Sequence, residues 1–158
     1  MRVGPIDEAL TRELRRSVLR PHQAPGDPLP GDDLPSGVHI GAVDDDGTVV
    51  GTCFVYPDEC AWLPDARGAW HLRQMATSPD RRGQGVGAAV LGAAVAHVRA
   101  QGAPVVWCHA RETAVSFYAR HGFRGHGEIF IDREHPVPHL RMWRDLREPE
   151  PGTTSSEG

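Results

Sequence analysis

The chain has 158 residues, of which 39% are hydrophobic and 24% charged, a composition suited to one soluble domain with a real core. Its 17 basic residues face 21 acidic ones, a formal charge of -4, so the basic surplus expected of a nucleic-acid binder is missing. All 17 basic residues are arginine. Without lysine neither a Walker-type phosphate loop nor a lysine Schiff base is available. No apolar run approaches the roughly 20 residues that span a bilayer. Met1 to Pro5 leads into a charged segment with no apolar signal region, and the expected compartment is the cytoplasm. Cys53, Cys60 and Cys108 show no C-x-x-C spacing, which argues against a disulfide framework or a structural zinc site.

In chain order, Ile6, Leu10, Leu14 and Val18 recur every four residues and predict a helix over residues 6–20. Residues 21–35 hold five prolines and three aspartates and read as a long loop. Residues 38–43 and 48–56 read as strands, joined by the hairpin signal Asp44-Asp45-Asp46-Gly47. After a loop over 57–68, residues 69–77 read as a strand. Residues 85–101 form the strongest helix pattern, with Val86, Val90, Ala93, Ala94 and Val98 on one face and Gly102 as its stop. A short buried strand follows over 105–108, then a helix over 112–120, then strands over 127–131 and 139–145. The last 11 residues, 148–158, are polar and read as a disordered tail after a single domain over 1–147. The order predicts an α/β chain with a central mixed sheet and helices on both faces.

The most informative segment runs from Met75 to Ala88, where a strand meets a glycine-rich turn and a helix follows. Gly83, Gly85 and Gly87 let the backbone approach a ligand. The helix start turns N–H groups and a partial positive charge outward, an arrangement suited to a pyrophosphate. Arg81 and Arg82 add charge-assisted contacts. A tight structural turn with solvated arginines explains the glycines equally well. A dinucleotide fingerprint is met formally by Gly83, Gly85 and Ala88, but it needs an acidic residue about 20 positions on. Residues 82–110 contain none.

Arg82-x-x-Gly85-x-Gly87 resembles the Q/R-x-x-G-x-G/A pyrophosphate motif of the GNAT superfamily of N-acetyltransferases. Ala114-Val-Ser-Phe117-Tyr118-Ala-Arg-His-Gly122-Phe123 resembles the family's second signature, in the expected order and separation. The resemblance covers roughly residues 40–146. Pro138 to Met142 and Gly127-Glu128 are similar to the ElaA-like branch.

The resemblance implies a GNAT acyl-CoA N-acyltransferase fold and an acetyl group moved from acetyl-CoA to a primary amine by direct attack. It implies a cofactor cradle of Arg82, Gly83, Gln84, Gly85, Val86, Gly87 and Ala88. Met75, Ala76 and Thr77 would form the pantetheine edge, on a strand that splays from the next in this family. Tyr118 stands at the position of the family's thiolate-protonating tyrosine. His71 stands where many members carry a basic glutamate, and histidine titrates near neutrality. His109 and Glu128 are alternative bases, as is a water relay. Arg111 replaces a common asparagine and would bind cofactor or an acidic part of the substrate. The implied partners are acetyl-CoA and an amine acceptor, with a homodimer as in many relatives, and neither nucleic acid nor membrane. The acceptor pocket would be built by residues 12–34 and 131–139. A non-catalytic acyl-CoA sensor on the same fold is the alternative, and a nucleotide-binding oxidoreductase module a third reading.

Nine histidines raise the question of metal, but the pairs His121/His126 and His135/His139 lack cysteine partners, and no metal is expected. Cys108, in an apolar strand, reads as core, and the four tryptophans read as core or pocket wall.

Overall fold

A computed structural model describes residues 1–19, 36–133 and 135–147. The expected loop over 21–35 and the tail over 148–158 therefore lie outside the described residues. Seven strands and three helices follow in the order β1 (Arg2–Ile6), α1 (Glu8–Leu19), β2 (Val38–Val43), β3 (Val49–Pro57), β4 (Trp70–Thr77), α2 (Val86–Ala100), β5 (Val105–Arg111), α3 (Val115–Arg120), β6 (Arg124–Ile131) and β7 (Pro138–Asp145). The strand order is β1-β2-β3-β4-β5-β7-β6. β4 and β5 are parallel, whereas β1–β2, β2–β3, β5–β7 and β6–β7 are antiparallel, so the sheet is mixed as the element order predicts.

The chain divides into two compact units, Met1–Pro57 with Leu72–Ala100, and Asp58–His71 with Gln101–Gly158. In the first, β2 pairs with β3 so that Ala42 faces Gly51 and His39 faces Phe54. Alternation puts these two pairs on opposite sides of the sheet. The Gly51 side carries α2. A Cβ built on Gly51 would stand 2.5 Å from Val86 Cγ1 and 3.1 Å from Val90 Cγ2, so the helix lies directly on the backbone. On the opposite side the His39 and Phe54 rings stack at 4.3 Å. There α1 packs against β2 and β3, and its Glu8 feels the charge of His39. Helices thus cover both faces of this unit. α2 buries Val86, Val90, Leu91, Ala94, Val95 and Val98. The apolar stripe is wider than the sequence pattern suggests, and Ala93 sits half-buried at its margin.

The first strand is the element the sequence reading lacks. β1 pairs with β2 from Arg2↔Val43 to Ile6↔His39. Its Gly4-Pro5 core breaks apolar alternation, and the strand tolerates proline because it lies at the end of the strand order. The first helix accordingly begins at Glu8 rather than Ile6.

In the second unit, β5 runs on to Arg111, past the expected stop at Cys108, and carries His109 and Arg111 as strand residues. One face of this sheet buries Val106, Cys108, Ala110 and Met142. The predicted helix over 112–120 is a 3-10 turn, Glu112–Ala114, followed by α3. β6 starts at Arg124, three residues before the expected Gly127. It breaks register with β7 between His126 and Phe130, where Gly127 has φ +74°.

Candidate active site

In the first unit the chain leaves β4 through Ser78, whose N–H donates to Val50 O at 2.8 Å. A 3-10 turn over Pro79–Arg81 follows. Arg81 is not free for a ligand, contrary to the expectation from sequence. Its guanidinium donates to Gln84 Oε1 at 2.9 Å and closely to the Asp44 carboxylate. Gln84 Nε2 in turn donates to Asp80 O at 3.2 Å. These bonds hold the turn in shape. Arg82 beside them is exposed and has no acidic partner among the described residues. Gly83 and Gly85 adopt φ +78° and +82°, yet a Cβ on either would meet nothing within 4 Å. These glycines are therefore required by backbone conformation, and the space before them is open.

Gly85 O accepts the N–H of Ala89 at 3.0 Å and starts α2. The N–H groups of Val86, Gly87 and Ala88 belong to the first turn, where no intrahelical acceptor exists. The Val86 side chain, 1% exposed, anchors this turn in the core. Met75 and Thr77 are half-buried and Ala76 is buried.

Just before Met75 the structure adds a feature the sequence does not announce. Gln74 has φ +60°, the one non-glycine residue in the left-handed region among those described. Its Oε1 accepts from Arg15 at 2.8 Å. Arg15 is completely buried, and it also donates to Glu8 Oε2 at 2.7 Å and Thr11 Oγ1 at 2.8 Å. The network stabilises a strained kink in β4 by tying it to α1. Arg15 looks like one of several surface arginines in the sequence, and only its place one turn after Thr11 and two after Glu8 marks it out.

In the second unit, β4 and β5 pair through Trp70↔Val106 and His71↔Trp107. The His71 ring lies flat on Trp107, with centroids 3.7 Å apart and planes at 13°. Its Nδ1 stands 3.2 Å from Asp58 Oδ2. A carboxylate only accepts, so Nδ1 carries the proton and Nε2 is the basic end of the ring. The Trp107 Nε1–H donates to Asp58 O at 2.9 Å. Asp58 thus brackets both rings. His71 is 8% exposed.

His109 stands two residues along β5, its ring centroid 5.9 Å from that of His71. Its Nδ1 lies 3.5 Å from Asp132 Oδ1, and Phe130 meets its ring edge-on at 5.1 Å. Desolvation holds its pKa below the usual 6.5, against the pull of Asp132 and with the help of the Arg141 and His139 charges. His109 is more open to solvent than His71, with a side-chain exposure of 33%. Asp132 Oδ2 also accepts the His135 N–H at 3.1 Å. Arg111 is exposed, its Nη2 3.5 Å from His135 Nδ1. Glu128 is exposed within the irregular part of β6. Tyr118 is buried on α3 between Phe117 and Phe123, with ring centroids at 5.2 and 5.3 Å.

Cys53 and Cys108 are core residues, and burial pushes both thiols far up. Trp62, Trp107 and Trp143 gather in one cluster with Cys60, Ala66, Ala69 and Val105, the wall the sequence suggests. Among the described residues no group of three His, Cys, Asp or Glu side chains could hold a metal ion. Nor is any described helix long and apolar enough to cross a membrane.

The class of the protein, an acyltransferase of the acetyltransferase (GNAT) kind, follows from its likeness to known proteins. The family's profile matches residues 7–123. The Bacillus subtilis (strain 168) protein named Uncharacterized N-acetyltransferase YitI is 33% identical over 138 residues, covering 87% of this chain and 91% of that protein. The chain belongs to the acetyltransferase (GNAT) family. Solved structures share its fold at lower identity. Aminoglycoside 6'-N-acetyltransferase complexed with coenzyme A is 17% identical, with a TM-score of 0.71 over 96% of this chain and 99% of that one. Escherichia coli ElaA is 20% identical, with a TM-score of 0.71 over 91% and 97%. At this distance the ElaA likeness is one of fold.

Proposed function

We propose that the protein is a cytoplasmic N-acetyltransferase that takes acetyl-CoA as cosubstrate and acetylates a primary amine on a small molecule, peptide or protein. The observation that carries this reading is the turn Gly83 to Ala88. It has two left-handed glycines, open space where their side chains would be, and the first turn of α2 behind them. Such N–H groups suit a pyrophosphate. Coenzyme A in a neighbour of the same fold supports the choice of ligand.

In this reading the backbone of Gly83, Gln84, Gly85, Val86, Gly87 and Ala88 holds the pyrophosphate, and Arg82 supplies charge. Met75, Ala76 and Thr77 hold the pantetheine amides, and Arg111 contributes a cation to the cofactor. The acceptor ammonium gives its proton to His71, whose Nδ1 is oriented by Asp58. The freed amine attacks the thioester carbonyl, the C–S bond breaks, the thiolate takes the Tyr118 proton, and the surplus proton on the acylated nitrogen restores the tyrosine. His109 is a second reading for the base, favoured by its exposure, its lowered pKa and its Asp132 partner.

Calorimetric titration with acetyl-CoA, coenzyme A and NAD tests the reading. Binding of both coenzyme A forms without NAD, followed by acetyl transfer in an amine screen, is expected. Binding without transfer to any amine would turn the protein into an acyl-CoA sensor. No binding of either form would make the glycine turn purely structural and remove the reading.

A further inference from the structure

The β5–β7–β6 sheet of the second unit has one face buried in apolar core, and its other face, apolar at Val105, Trp107 and Trp143, changes character from His109 onward. On that second face the register sets His109 opposite Arg141 and Arg111 opposite His139, with Phe130 next to His139 on β6. Directly opposed residues of an antiparallel pair have Cβ atoms about 5 Å apart. The result is a small block in which arginine and histidine alternate in both directions. A proton taken up by either histidine would be repelled by the arginine opposite it, so the pairing itself brings no electrostatic stability.

Among the described residues its charge is not balanced. Asp132, the acid at its edge, is engaged by His109 and by the His135 N–H. Neither Arg141 nor Arg111 has a carboxylate partner among the described residues. Arg141 is half-buried, and its guanidinium carbon lies 4.3 Å from the centre of the Phe130 ring. A guanidinium stacked on a ring has one face covered, while its N–H edge stays available for a planar acceptor in its own plane. A partly desolvated cation in this state is poised for a bidentate carboxylate.

We propose that Arg141 is a specificity residue that binds a carboxylate on the acceptor, so that the preferred substrate is an amine that is also an acid, of amino-acid type. The proposal rests on the acetyl-transfer reading. It also places the acceptor's anionic end next to His109, with Arg111 adding to the positive potential that attracts it.

The test compares free amino acids with their primary amides as acceptors, for the wild-type protein and for Arg141→Gln and Arg141→Lys. In the wild type the acids should show the lower KM. In Arg141→Gln that preference should fall about 10- to 100-fold, the scale of a lost charge-assisted hydrogen bond. Arg141→Lys should recover part of it, since it restores the charge without the planar fork. Equal use of acid and amide by the wild type overturns the proposal. So does a variant whose main change is weaker acetyl-CoA binding, because the guanidinium would then serve the cosubstrate.

A second arm needs no turnover. N-acetylalanine should perturb the His109 ring resonances in the wild type and not in Arg141→Gln, and N-acetylalaninamide should leave them unmoved. If no amine is acetylated but this pattern is seen, the carboxylate site stands and the acetyltransferase reading falls. No perturbation by the acid overturns the site itself.

Discussion

The two units carry their chemistry in different materials. In the first, the candidate cradle is made of backbone: the φ angles of Gly83 and Gly85 and the unpaired N–H groups that begin α2. Side chains there either seal the core, as Val86 does, or brace the turn, as Arg81 and Gln84 do. In the second unit the candidate chemistry lies in side chains: His71 on Trp107 and His109 beside Arg141, lined up by register, and Tyr118 on α3. A backbone site demands particular residues at fixed spacing and leaves a motif. A register site demands only that each strand place the right residue on the right face, so many sequences can build one, and without a resemblance its spacing alone does not announce it.

The contrast predicts variants of different kinds. The largest effect should come from Gly85→Val. A β-branched residue at φ +82° costs about 1–3 kcal/mol of backbone strain, while its Cβ meets no neighbouring atom. The fold should survive with a lowered Tm, while calorimetry with acetyl-CoA should show no measurable binding. Retained tight binding would break the comparison by showing that the turn's conformation is not what binds. Next, Tyr118→Phe should lower kcat by about 100-fold or more, the scale of a lost general acid, with acetyl-CoA Kd nearly unchanged. Wild-type turnover in that variant would remove the acid from the second unit.

A smaller loss, roughly 10- to 100-fold, is expected for His71→Ala, with the pH–rate profile altered on the limb that reports the base. The same change in His109→Ala instead would move the base one row along the sheet. The smallest effect is on stability. Partial desolvation, helped by the Arg141 and His139 charges, puts the folded pKa of His109 below 6.5. Above 6.5 both states are neutral and its contribution is complete. As pH falls below 6.5 the unfolded chain binds the proton first, and stability declines until the folded pKa is passed. His109→Gln should therefore flatten the decline of Tm in mildly acidic buffer. An unchanged slope would locate the acid sensitivity elsewhere, His121 being one candidate because desolvation lowers its pKa too.

The same contrast explains which parts of the molecule are legible in its sequence. β2, α2 and the turn at Gly83 to Gly87 follow from alternation, a 3.6-residue period and glycine spacing, all local rules. β1 escapes them because its Gly4-Pro5 sequence is supported only by its partner, 35 or more residues away along the chain (Pro5↔Ile40, Gly4↔Gly41). Arg15 and Gln74 are 59 residues apart, and nothing at either position signals the bond between them. Arg81 reads as available in the sequence because its partner Asp44 lies 37 residues earlier, in what reads as a solvated turn. The Arg141 block is invisible for a related reason, since its meaning depends on the pairing of β5 with β7.

Gly51 lies beneath the candidate cradle, against the Val86 side chain, and sets the height at which α2 rides over the sheet. A methyl group there would strike Val86 Cγ1, the side chain that pins the first turn of the helix. Overpacking of this kind costs about 1–3 kcal/mol, and relief by lifting the helix would carry the turn with it. Side-chain volume at Gly51 and Val90 is therefore a tuning screw for the cradle, able to alter its fit from the core side without changing a residue of the turn itself.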